Sequence, residues 1–227
     1  MKILLIGDDR RIEEMQKKIA SLPVESPSIV VNNTSSFNDF DLIIDLLMDG
    51  KKSLDLLEIY SALSQKVVIV DAVKQSLGDL THSFSKPIHC HLIGVNGLPT
   101  FIHRNLWELS ALNEASKTAA NKLLQGLGIH CQWVSDRVGM VSPRVVLMII
   151  NEAFYTLQEG TANKTDIDLA MKLGTRYPHG PFEWAELIGI QNVYETLQAL
   201  YQDTGDERYR VCPLLKQTYF QSFETCI

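Results

Sequence analysis

NEAFYTLQEGTANKTDIDLAMKLGTRYPHGPFEWAELIGIQNV, residues Asn151 to Val193, is the stretch whose reading decides the fold. Just before and into it, Val145, Val146, Met148, Ile149, Ala153, Phe154 and Leu157 recur at helical spacing, and Glu159-Gly160 breaks the run, so a long buried helix is expected. Thr165 with Asp168 three residues on has the form of a capping box, and Gly174 supplies a stop. Gly180-Pro181 restarts the chain, because proline at a first helical position gives up only an N–H that has no intrahelical partner. That helix, Pro181–Leu187, ends at Gly189, and a further helical pattern runs over Val193–Tyr201. The C-terminal part of the chain is therefore all-helical.

Upstream the pattern changes to short apolar runs separated by amphipathic ones. Lys2–Gly7, Ser28–Asn32, Asp41–Leu47, Val67–Val70 and the alternation around His89, Cys90, His91, Leu92 and Ile93 read as strands. Helical patterns fall at Ile12–Ile19, Leu54–Leu63 and Asn113–Leu127, the last ended by Gly128, and His130–Val134 is a final strand. Strands alternating with helices predict a parallel sheet covered by helices, since parallel strands need crossovers. Asp8 and Asp71 stand just beyond the first and fourth strands, at the edge where open α/β sheets place ligands. The domains divide as 1–136 and 137–227.

Composition excludes several classes. The 227 residues, 45% of them hydrophobic, are enough for one large domain or two small ones. With 21 basic against 27 acidic residues, net charge −6 and no basic patch, nothing points to nucleic acid. No apolar run reaches membrane-spanning length, so neither membrane insertion nor export is expected. Cys90, Cys131, Cys212 and Cys226 lack CxxC spacing, which fits reduced thiols in a cytoplasmic protein and no metal site.

The spelling EAF..L.EG.A...DID.AMKLG..YP.GPFE...LIG, within Gly139 to Leu215, resembles the C-terminal domain of the 3-hydroxyacyl-CoA dehydrogenases, NAD-dependent enzymes of fatty-acid β-oxidation and butyrate-type pathways. The resemblance implies a helical dimerisation domain bordering an acyl-CoA cleft, hence a homodimer through the C-terminal helices. It also makes the first half a shortened, degenerate Rossmann-like domain, so the fold class is α/β plus all-α. The family's phosphate loop has the form G-x-G-x-M-G. Here it is Gly7-Asp8-Asp9-Arg10-Arg11-Ile12: Gly7 alone remains of the glycines, and two carboxylates stand where phosphates would lie. The second strand ends in Asn32-Asn33, without an acid for a ribose hydroxyl.

The family's catalytic histidine lies in a run G-x-H-F-F-N-P, and the resemblance assigns it to His91 in IHCHLIG, although His89 serves equally well. A strand histidine satisfied by a polar neighbour is the competing reading. The glutamate that orients the histidine falls on Asn105, or on Glu108 after a three-residue slip; the substrate-contacting serine falls on Gln75, beside Ser76; the asparagine is Pro143. That proline predicts a helix starting at Pro143 with Ser142 as its cap. His103 and Arg104 lie in a loop-like stretch suited to an anion or to plain surface. The reading that follows is a family member without NAD-dependent hydride transfer and with no cofactor, retaining a cleft for an acyl-CoA or small acid. The alternatives are an active NAD-dependent enzyme with an atypical cofactor loop, and a partner-binding dimeric scaffold.

Overall fold

The computed structural model describes residues 1–22, 27–32, 36–48, 53–82 and 84–224; Asn33 and Cys226 lie outside them. The chain divides into two compact units, Met1–Met140 and Val141–Ile227, a few residues after the boundary expected at 136.

The first unit runs β1 (Lys2–Ile6), α1 (Asp9–Ala20), β2 (Ser28–Val31), β3 (Leu42–Asp45), α2 (Ser53–Ser61), β4 (Val67–Asp71), α3 (Leu77–His82), β5 (His91–Val95), β6 (Leu106–Ala111), α4 (Glu114–Gly126) and β7 (His130–Trp133). These strands form one seven-stranded sheet in the order β2-β1-β3-β4-β5-β6-β7. Every residue of β3 and β4 is buried, as expected of parallel strands covered on both faces. The two-residue period splits the side chains cleanly. Ile3, Leu5, Ile44, Ile69 and Ile93 pack under Met15, Ile19, Ala120 and Leu124 of α1 and α4. Leu4, Ile6, Ile43, Val68 and Leu92 pack under Leu57, Tyr60, Leu77 and Leu80 of α2 and α3.

The sheet is not wholly parallel, which corrects the expectation. β6 pairs antiparallel with β5, Ile93 opposite Ala111 and Val95 opposite Leu109, and β7 then runs parallel to β6. Trp107 on β6 is core, 2% exposed, with its indole N–H on the Ile102 carbonyl at 2.9 Å.

The second unit is α5 (Ser142–Gln158), α6 (Lys164–Thr175), α7 (Pro181–Ile188), α8 (Ile190–Thr204) and α9 (Pro213–Glu224). α5 starts one residue before the expected Pro143: Ser142 is inside the helix, and Val141 precedes it with no side-chain cap. Met140, at φ 43, is outside the right-handed helical region. The cap of α6 is Asn163, not Thr165; its side chain accepts from Asp166 N at 3.0 Å. Gly174 lies within α6, and the stop is Arg176 in the left-handed conformation at φ 58. Asp168 instead serves the next helix, accepting from Phe182 N at 2.8 Å and Glu183 N at 3.1 Å. Its carboxylate occupies the space a side chain on Gly180 would need. Among the described residues, no helix is long and apolar enough to cross a membrane.

Candidate functional site

The strand order reverses direction between β1 and β3, so the loops leaving the C-terminal ends of these strands and of β4 define the crevice where such sheets take ligands. Protein groups occupy it. Asn32, itself at φ 50, holds the backbone of Gly7 from both sides: Gly7 N donates to Asn32 Oδ1 at 3.1 Å, and Asn32 Nδ2 donates to Gly7 O at 3.2 Å. Asp8 is the N-cap of α1 and accepts from Arg11 N at 2.9 Å. A free helix N-terminus attracts anions through its unpaired N–H groups and its dipole; here a carboxylate of the chain already takes one of those donors.

Arg11 completes the filling. It is 3% exposed. Its Nη1 donates to Leu46 O just after β3, its Nη2 lies 3.7 Å from Asp71 Oδ2 at the end of β4, and its Nε lies 3.5 Å from Asp8 Oδ2. The guanidinium thus spans the mouth of the switch point from β1 to β4. Asp71 Oδ1 accepts from Gly97 N at 3.1 Å, tying in the loop after β5. Asp45, fully buried at the end of β3, accepts from Tyr60 Oη at 2.7 Å and Leu47 N at 2.8 Å. Burial, and then the Asp45 carboxylate, push the Tyr60 phenol well above its usual range, so it stays a donor.

The residues singled out from sequence do not converge on this crevice. His91 is the first residue of β5, opposite Val67 at the start of β4. That is the N-terminal edge of the parallel strands, the opposite end from Asp8, Asp45 and Asp71. Its Nδ1 is 3.4 Å from Ser116 Oγ and its Nε2 is 3.3 Å from Gln65 Oε1. The residue just beyond the other end of the strand is Asn96. Aligned on Asn96, the run G-x-H-F-F-N-P falls on His91–Gly97 and puts Ile93 in the histidine's place. Ser76 caps α3, its Oγ accepting from Asp79 N at 3.0 Å and donating to Asp79 Oδ2 at 2.6 Å. Glu108 is half-buried on β6, and Asn105 is an exposed residue just before that strand. Arg104 stacks on Phe101 at 4.1 Å, and His103 Nδ1 lies 3.5 Å from Glu14 Oε2. Burial raises the Cys90 thiol to about 11, so it is a small core residue and no nucleophile.

Arg11, Asn96 and Thr100 are the site residues the sequence reading missed. The Asn96 Oδ1 and Thr100 Oγ1 atoms are buried without a hydrogen-bond partner among the described residues, and Thr100 sits at φ 73. Among the described residues no cluster of three His, Cys, Asp or Glu side chains suits a metal.

Clefts also lie away from the switch point. One of about 370 Å³ in the helical unit is lined by Ile149, Ala153 and Thr156 of α5, Ile167 and Met171 of α6, and Pro181. Another, about 690 Å³, lies beside His91.

Residues 139–222 match the model of the 3-hydroxyacyl-CoA dehydrogenase C-terminal domain. The 3-hydroxybutyryl-CoA dehydrogenase of Bradyrhizobium diazoefficiens is 31% identical over 183 residues, covering 78% of this chain and 62% of that protein. The 3-hydroxyadipyl-CoA dehydrogenase of Escherichia coli is 44% identical over 109 residues, 48% of this chain and 23% of that protein. The chain therefore spans less than two thirds of either relative. The crystal structure of (S)-3-hydroxybutyryl-CoA dehydrogenase from Ralstonia eutropha superposes with a TM-score of 0.75 over 98% of this chain and 94% of that one, at 20% identity, which establishes a shared fold.

Proposed function

Because the chain belongs to the 3-hydroxyacyl-CoA dehydrogenase family, we propose that it is a member without NAD-dependent hydride transfer, which keeps the family's fold and a capacity to bind an acyl-CoA or small acid. The observation that carries this is Arg11. A dinucleotide places its pyrophosphate against the backbone N–H groups after the first strand. To admit one here, the guanidinium must leave Leu46 O and Asp71, and Asp8 must release the α1 N-terminus. Leaving one buried charge without its partner costs about 3–5 kcal/mol. Spent from binding energy, that weakens a dissociation constant by about 10²- to 10³-fold or more. The residues present do not fit the cofactor.

The helical unit supports a second part of the proposal, a homodimer formed through its helices. Val141 and Val145 before and on α5, and Leu169 and Leu173 on α6, are each more than half exposed, and the apolar cleft between these helices is walled by Ala153, Ala162 and Ala170. Exposed apolar side chains beside an apolar groove suit a self-complementary two-fold interface. Equilibrium sedimentation should give a dimer; a monomer up to the solubility limit contradicts this part alone.

The experiment for the catalytic part is acetoacetyl-CoA reduction with NADH by the purified chain. The expected result is no NADH oxidation above a blank without the protein. Acetoacetyl-CoA-dependent turnover that rises in proportion to the amount of the chain contradicts the proposal. An acyl-CoA panel in thermal denaturation tests the binding part, since a ligand specific for the folded state raises its stability.

A further inference from the structure

The cleft of about 690 Å³ beside His91 falls within the size range of small-molecule sites. It lies at the N-terminal edge of β4 and β5, against α4, and is separate from the switch point. Its floor is apolar: Val67 and Leu127 are each 5% exposed, and Leu123 is half-buried beside them. Its polar side chains are Gln65, His91 and Lys122, Met1 also lines it, and no carboxylate does so among the described residues. At Gly126 a side chain would meet nothing within 4 Å, so the mouth is open on that side.

Three features of the polar side point the same way. Both ring nitrogens of His91 sit at contacts of 3.3 and 3.4 Å, at the long limit for a hydrogen bond, so the ring can give up a weak contact for a strong one. Gln65, which faces Nε2, is a non-glycine residue at φ 60, held there by its N–H on His89 O at 3.0 Å. Left-handed backbone of this kind carries strain and concentrates at ligand sites. Lys122 is exposed on α4 and makes no ion pair among the described residues.

We propose that this cleft binds a small amphipathic carboxylate, its apolar tail on Val67, Leu123 and Leu127 and its carboxylate between His91 and Lys122. An ammonium and an imidazole N–H over an apolar floor, with no acid among the described lining residues, discriminate against amines and neutral alcohols of the same length. The site is independent of the cofactor reading, because no residue in it touches Arg11, Asp71 or Gly7 in any bond described above.

The test is a titration of the full chain with hexanoate, followed by the His91 ring resonances and the Leu123 and Leu127 methyl resonances, with hexylamine as the control. The expected result is a saturable shift at these positions with hexanoate and none with hexylamine. Ala119→Trp, which fills the cleft, should abolish it. Lys122→Glu, at an exposed position that does not threaten folding, should weaken binding about fivefold, the size of one surface charge contact. Shifts that rise without saturating, an equal response to hexylamine, or an affinity unchanged in Lys122→Glu overturn the proposal. Should Ala119→Trp not fold, the Lys122→Glu comparison decides alone.

Discussion

Asp168 in the helical unit and Asp8 in the α/β unit do the same physical job with opposite consequences. Each carboxylate accepts a backbone N–H at the start of a helix. Asp168 reaches from α6 to the first turn of α7 and joins two helices of a domain whose pattern matches its family. Asp8, with the buried Arg11 behind it, caps the helix whose N-terminus faces the switch point. Internal capping builds a fold wherever it occurs. At a switch point, on the function proposed above, it also takes the place of a ligand.

The comparison breaks first at Arg11. Arg11→Ala leaves Asp71 buried without the guanidinium and should destabilise the chain by about 3–5 kcal/mol in denaturant unfolding. A loss under about 1 kcal/mol, the scale of a surface pair, would mean that the crevice is solvated and open. Replacing both partners, Arg11→Met with Asp71→Leu, should recover much of the loss, because removing a buried pair together avoids the orphaned charge.

Asp168→Ala should cost less, about 2–3 kcal/mol, from two lost backbone hydrogen bonds at the start of α7. Asp168→Asn, which keeps an acceptor, should cost distinctly less than alanine. Equal losses for the two would show that packing against Gly180, not capping, is what Asp168 contributes.

The smallest effect is at Glu183, whose carboxyl is held below its ordinary value of 4.5 first by the Lys172 hydrogen bond and then by the Gly180 N–H. A carboxylate with a depressed folded pKa adds stability that is present above its unfolded pKa and lost as pH falls through the folded one. Unfolding curves between pH 7 and pH 3 should therefore converge for wild type and Lys172→Ala at the acid end. Curves that diverge further as pH falls would contradict the assigned partner.

The alternation of apolar runs in the first half and the 3.6-residue period in the second were enough to place most elements, because strands such as LIID and VVIVD are buried on both faces and carry nothing but apolar side chains before their terminal acid. β6 was hidden: its identity depends on pairing with β5, a contact between residues such as Ile93 and Ala111, and its sequence is flanked by the polar stretch around His103–Asn105. Asp168 has the sequence context of a cap for its own helix, and only the turn at Gly180 brings α7 to it. Two acids in place of glycines were legible as an obstacle to phosphate. That Arg11 folds inward across three strand ends was not, since an arginine after two acids reads equally as a solvated surface residue. His91 shows the same limit: a strand histidine is visible in sequence, but which edge of the sheet it occupies is fixed by its register with Val67.

The measurement that bears most directly on the closed switch point is calorimetric titration of the wild-type chain and of Arg11→Ala with NADH. The account predicts no saturable heat for wild type up to about 1 mM, the level left when a micromolar site loses about 4 kcal/mol. Micromolar binding by wild type would contradict it, and so would identical micromolar binding by both proteins, which would show that Arg11 does not occupy the cofactor's place.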